Sequence, residues 1–149
     1  MAEVGNQRVV MVCVDASDHA EKAFDFYVKE VMRKTDCVVL AHVPEIYNLD
    51  WASPKVVGQL LKEESAKVTA LEERYIAKLS ALELSGKFET GKGKPGEVIC
   101  DLAKKENAKL VVIGTRGLGK LKKLFLGSVS DHVTHHSPVP VFVYRDMDN

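Results

Sequence analysis

"RVVMVCVDASDHAEKAF", Arg8 to Phe24, is the stretch on which the fold turns. Arg8–Val14 is an almost unbroken run of aliphatic residues, most of them β-branched. A strand exposed on one face alternates apolar with polar residues. A continuous apolar run belongs to a strand covered on both faces, as in a parallel sheet. The run stops at Asp15. Beyond it Ala20, Ala23, Phe24, Tyr27, Val28 and Val31 recur at helical spacing, and Ser17 or Asp18 can cap the first turn. A buried strand passing directly into an amphipathic helix opens a β-α-β unit.

The pattern repeats outward from there. "CVVLAHV", Cys37–Val43, reads as a second buried strand, stopped by Pro44. Residues 45–54 read as a loop in which the lone Trp51 serves as an anchor. From about Lys55 to Leu84 the spacing is helical. Leu61, Val68, Tyr75 and Leu82 recur every seven residues with Leu71 and Leu79 between them, which predicts a long helix packing its stripe on the sheet. A weaker strand is expected around Lys87–Gly91, then a helix opening at Pro95. "KLVVIGT", Lys109–Thr115, is a fourth strand, "GSVSDHVTHHS" a short helix, and "PVPVFVYR", Pro138–Arg145, a fifth strand. Its two prolines point to a sheet edge.

This alternation predicts one α/β domain over residues 1–149: a doubly wound, five-stranded parallel sheet with helices on both faces. If three strands wind outward and the fourth returns beside the first, the order is 3-2-1-4-5. Ligands in such sheets bind beyond the carboxyl ends of the strands, where the winding reverses. Those ends carry Asp15 and Gly114.

Lysine plus arginine number 21, as do aspartate plus glutamate, for a formal charge of zero. That balance argues against general nucleic-acid binding or a polybasic membrane anchor. No apolar run approaches a membrane span, and "MAEVGNQR" lacks the apolar region of a signal peptide. A cytoplasmic location is the expectation. Cys13, Cys37 and Cys100 are odd in number, far apart and set among apolar neighbours, which predicts buried free thiols. A redox role is open for Cys13 alone, beside the crevice.

Two glycine motifs mislead. "GTRGLGKL", from Gly114, fits the start of a Walker loop, but Leu121 stands where Ser or Thr must hold magnesium. "GKGKPG", Gly91–Gly96, spells a dinucleotide fingerprint, yet it follows a weak strand and Pro95 removes an N–H. It reads as a turn into a helix. A third arrangement fits better: Gly114 ends a buried strand, where a backbone can approach a ligand closely, and Gly127–Ser128 opens a helix. A helix start offers free N–H groups and a positive dipole end to a phosphate, and Ser128 and Ser130 add hydroxyl donors. Lys120, Lys122 and Lys123 crowd the intervening loop, either as a solvated charged surface or as an electrostatic attraction for a polyphosphate. His132 and His136 have the spacing of a metal pair but no third ligand in view.

The spacing G-x2-G-x9-G-S, within "VVIGTRGLGKLKKLFLGSVSDHVTHHSPVPVFVYR", resembles the nucleotide-binding motif of the universal stress protein family. "VVMVCVDASDHAEKAF", "VVLAHV" and "GKPGEVI" resemble that family's opening strand, second strand and turn before the third helix. The resemblance implies an adenine nucleotide alpha hydrolase-like fold and a site for ATP or AMP. Asp15 would sit at the ribose and phosphates, with Mg²⁺ nearby. Val43 would present backbone to adenine, and Ile113 and Gly114 would flank the ribose. Gly117, Gly127, Ser128, Val129 and Ser130 would wrap the phosphates, and Arg116 stands where the family varies. Cys13–Val14 replaces a Pro–Thr found in some ATP-binding relatives, so a hydroxyl beside the nucleotide is missing.

The resemblance further implies a homodimer joined through the last strand, Val139 to Arg145, and regulatory protein partners that the sequence does not identify. The function expected is a dimeric, adenine-nucleotide-binding regulatory module of the stress response. Two alternatives stand beside it: a slow ATPase or autophosphorylating enzyme, with Asp15 the only evident base, and a chaperone-like dimer that needs no nucleotide. No nucleophilic catalytic set can be assembled from the spacing.

Overall fold

A computed structural model describes residues 7–44, 49–116 and 127–146. Five parallel strands are ordered β3-β2-β1-β4-β5: β1 Val9–Cys13, β2 Cys37–His42, β3 Ser85–Thr90, β4 Leu110–Arg116 and β5 Val141–Asp146. Val10 lies between Val38 of β2 and Leu110 of β4, so β1 is the innermost strand. The fold class expected from the strand pattern is the one observed.

The apolar run of β1 is shared between two cores. Successive side chains of a strand point to opposite faces. Val10, Val12 and Val14 enter a cluster with Ala23, Phe24, Tyr27, Leu71, Tyr75 and Leu79. Met11 and Cys13 enter another with Ile99, Leu102, Ala103 and Val133. The first cluster joins the sheet to α1 (Asp18–Phe26) and α2 (Pro54–Ala81), the second to α3 (Pro95–Lys105) and α4 (Ser128–His136).

Helix α1 passes into a π-helical turn, Tyr27–Val31, where Met32 N donates to the Tyr27 carbonyl at 2.8 Å. The turn keeps Tyr27 in the core, its hydroxyl donating to Asp36 Oδ2 at 2.6 Å. Arg8 holds the same carboxylate from Nε and Nη2, at 2.9 and 2.7 Å. The clamp ties the start of β1 to the start of β2.

Helix α2 is continuous for 28 residues, about 42 Å at the α-helical rise. Its heptad stripe does not pack as expected. Only Leu71, Tyr75 and Leu79, four residues apart, are buried. Leu61 is 59% exposed and Leu82 39%, and no residue of α2 before Leu71 is buried. The upstream half is exposed or only partly buried along its whole length. Trp51, expected to anchor its loop, is 75% exposed among the described residues. Strand β3 starts at Ser85 rather than Lys87. Strand β5 is an edge strand, as its prolines suggested, but Pro138 and Pro140 precede it. The strand itself begins at Val141, where each residue can donate to the ladder.

Candidate functional site

A cavity of about 630 Å³ lies at the carboxyl ends of β1, β2 and β4. That volume is in the range of small-molecule sites. Ten of the twelve site residues expected from the sequence line it. Cys13, Val14 and Asp15 come from the end of β1, Val43 from the end of β2, and Ile113 and Gly114 from β4. Gly127, Ser128, Val129 and Ser130 come from the start of α4. Arg116 closes β4, but its side chain, like Gly117 and the three loop lysines, lies outside the described residues.

The β1–α1 turn is pinned by its own polar groups. Asp15 Oδ1 accepts from Ser17 N at 2.8 Å and from the Ser17 hydroxyl. Ser17 Oγ in turn accepts from Ala20 N at 3.3 Å and caps α1. Asp15 is thus a local turn-former and an exposed wall of the cavity at once. His42, one residue before the expected Val43, also lines the cavity. Its Nδ1 lies 2.9 Å from the Val14 carbonyl oxygen. A carbonyl only accepts, so Nδ1 carries the hydrogen.

Helix α4 begins differently from α1. Its N-cap is Gly127, with no side-chain cap. The N–H groups of Ser128, Val129 and Ser130 occupy the first turn, where an α-helix offers no internal acceptor. They stand at the cavity wall. Two expectations change here. The Ser130 hydroxyl donates back to the Gly127 carbonyl at 3.1 Å, so its proton is already used. The Gly127 N–H donates to Thr115 Oγ1 at 3.3 Å. The donors left to a ligand are the first-turn amides and the Ser128 hydroxyl.

Gly114 also proves to serve packing. A Cβ there would lie 2.4 Å from the His19 carbonyl oxygen and 3.0 Å from Ala23 Cβ. The glycine lets α1 close onto β4. Cys13 is buried, and that burial, reinforced by Cys100 and Asp15, pushes its thiol up to about 12. That direction disfavours the thiolate, the reactive form of a cysteine. Cys13 is a buried free thiol as expected, whereas Cys37 and Cys100 are free but only partly buried.

The remaining motifs resolve as structure. In "GKGKPG", Gly93 takes a φ of +134° in the turn, and Gly96 lets the His132 ring close on α3. His132 and His136 stand with ring centroids 4.3 Å apart. Among the described residues no three His, Cys, Asp or Glu groups gather to hold a metal. None of the helices described is long and apolar enough to cross a membrane. The sequence reading missed Thr115, His42 and, on α2, Glu64 and Lys67, all of which line the cavity. His42 and Thr115 each directly adjoin an expected residue. Glu64 carried a signal of its own: it is polar in phase with an apolar stripe.

Comparison with known proteins agrees with the fold. The sequence profile of the universal stress protein family matches residues 7–145. The "universal stress protein in QAH/OAS sulfhydrylase 3′region" of Thermus aquaticus is 32% identical over 142 residues, covering 93% of this chain and 98% of its own length. A universal stress protein family protein of Arabidopsis thaliana, solved with AMP bound, superposes with a TM-score of 0.73 at 25% identity. The match covers 95% of this chain and 93% of that one. The universal stress protein UspA of Lactobacillus plantarum shares the fold, with a TM-score of 0.73 at 24% identity over 93% of this chain and 97% of its own. A profile match running from the threshold of β1 into β5, beside a relative aligned over nearly its whole length, places the chain in the universal stress protein family.

Proposed function

We propose that this protein binds an adenine nucleotide, ATP or AMP, and acts as a regulatory module in the stress response. The observation that carries the reading is the bare first turn of α4, opening on the same cavity as Asp15. Uncapped amides and the helix dipole favour an anion there. The AMP-bound Arabidopsis relative supports an adenylate as that anion's parent. Phosphates take the amides of Ser128, Val129 and Ser130. Asp15 and the backbone of Ile113 and Gly114 face the sugar, and Val43 faces the base. Val14 offers no hydroxyl, so base and sugar recognition falls to Asp15, to backbone and to residues across the cavity.

The cavity residues fit Mg²⁺ only as a passenger of the triphosphate. Asp15 Oδ1 already accepts two hydrogen bonds. Mg²⁺ retains waters and takes phosphate oxygens readily, so Asp15 would be at most one ligand. The exposed edge of β5, carrying partly buried Val141, Phe142, Val143 and Tyr144, is the surface through which we expect a second copy to add its own edge.

The test is mass analysis of small molecules released from the purified protein, followed by titration calorimetry with ATP and AMP and by sedimentation. The expected result is a co-purifying or tightly bound adenylate on a dimer. A protein that shows no heat and no thermal shift with either nucleotide would overturn the proposal.

A further inference from the structure

Helix α2 carries a residue that its own pattern does not explain. Counting back along its inner face by helical turns, Leu79, Tyr75 and Leu71 are buried, and Val68, Leu60 and Val57 are partly buried. The position between Leu60 and Val68 on that stripe is Glu64. It is partly buried and lines the cavity with Lys67. Among the described residues neither makes an ion pair or a side-chain hydrogen bond. Drawing a carboxylate partly out of water without a partner costs free energy. A residue that breaks a local rule without internal compensation marks a place where something outside the chain compensates.

The sheet decides what that something is. Helix α2 covers the face of β1 that carries Val10, Val12 and Val14. Helix α4 packs on the opposite face, with Val133 against Met11 and Cys13. The two helices therefore approach the cavity from opposite sides. If the anionic end of a ligand sits on the amides of α4, a carboxylate on the far side meets the neutral end. Glu64 can only accept, so it selects hydrogen-bond donors. Lys67, one turn on, offsets its field so that the carboxylate does not repel the phosphates.

We propose that Glu64 accepts hydrogen bonds from the ribose hydroxyls of the bound nucleotide, making α2 the wall that reads the sugar. This rests on the adenylate reading above and adds a residue to it.

The experiment is calorimetry of wild type, Glu64→Gln and Glu64→Ala with AMP, 2′-deoxy-AMP and 3′-deoxy-AMP, in EDTA so that no metal bridges the carboxylate. In wild type, at least one deoxy analogue binds about tenfold more weakly than AMP, the loss expected for one hydrogen bond to a charged acceptor. In Glu64→Ala, AMP binds about tenfold more weakly and the deoxy analogues suffer no further loss. Melting of the ligand-free protein separates this from a folding defect: Glu64→Leu, which completes the stripe, melts at or above the wild-type temperature. If wild type binds AMP and the alanine variant binds it equally, or still penalises the deoxy sugar, the role of Glu64 is refuted while the adenylate reading stands. If wild type binds no adenylate, both fall.

Discussion

Replacing Gly114 with alanine separates packing from ligand binding within one motif. The new Cβ would sit 2.4 Å from the His19 carbonyl oxygen, where ordinary contact begins near 3.4 Å. That oxygen is helix backbone and cannot rotate aside, so α1 must withdraw by about 1 Å. Ala20, Ala23 and Phe24 would withdraw with it, loosening their packing on the sheet. Overpacking that displaces backbone costs about 1–3 kcal/mol, a large part of the roughly 5–15 kcal/mol that holds a domain together. With a urea slope of about 1–3 kcal/mol per molar, the unfolding midpoint should fall by roughly 1 M. Gly127→Ala is the control. Among the described residues its Cβ would find nothing closer than 3.7 Å, and φ there is −63°, so only the modest preference of an N-cap for glycine over alanine is lost, less than about 1 kcal/mol. Equal midpoints for the two variants would refute the assignment of Gly114 to packing.

Asp36 should make stability depend on acid. Burial pushes its carboxyl up, but the Arg8 guanidinium, the Arg33 amide and the Tyr27 hydroxyl outweigh burial and hold it below the usual aspartate value. A group depressed on folding stabilises above its unfolded value, near 3.9, and that contribution is lost as pH falls through the folded value. Stability of Asp36→Asn, followed by urea unfolding, should therefore be the flatter curve below about pH 4. At neutral pH the variant should lose toward the lower end of about 3–5 kcal/mol, because Arg8 keeps 20% of its side chain in water. The two core tyrosines should behave oppositely when made phenylalanine. The Tyr75 hydroxyl is buried with no hydrogen-bond partner among the described residues, so its removal should be neutral or stabilise by up to about 1 kcal/mol. Tyr27→Phe should cost about 1.5–3 kcal/mol, since it breaks a bond to a carboxylate. Denaturation midpoints that move together would reject this contrast.

What could be read from the chain, and what could not, follows the range of the forces involved. Buried strands such as "VVMVC" announce themselves because both faces need apolar residues, and strand order then follows from the alternation of elements. Gly127–Ser128 was legible because helix starts have local chemistry. The stripe of α2 was not: Leu61 and Leu71 look alike in sequence, and only the extent of the sheet decides which is covered. Trp51, read as a loop anchor, is exposed because bulk alone does not pin a ring. Gly114 is legible as a close-approach glycine that lines the cavity, but its packing task is not, since a close approach to a helix and a close approach to a ligand leave the same letter. The back-bonding of Ser130 depends on a rotamer that no spacing encodes.

The division of labour between the two outer glycines reaches beyond this chain. A descendant that abandoned its ligand would be released from keeping residue 127 bare, yet still obliged to keep residue 114 so, because its first helix would have nowhere else to rest. If relatives pack their first helix in the same way, the β4 glycine would be kept whether or not a ligand binds. On the adenylate reading, dependence on a ligand would be written at the mouth of the last helix.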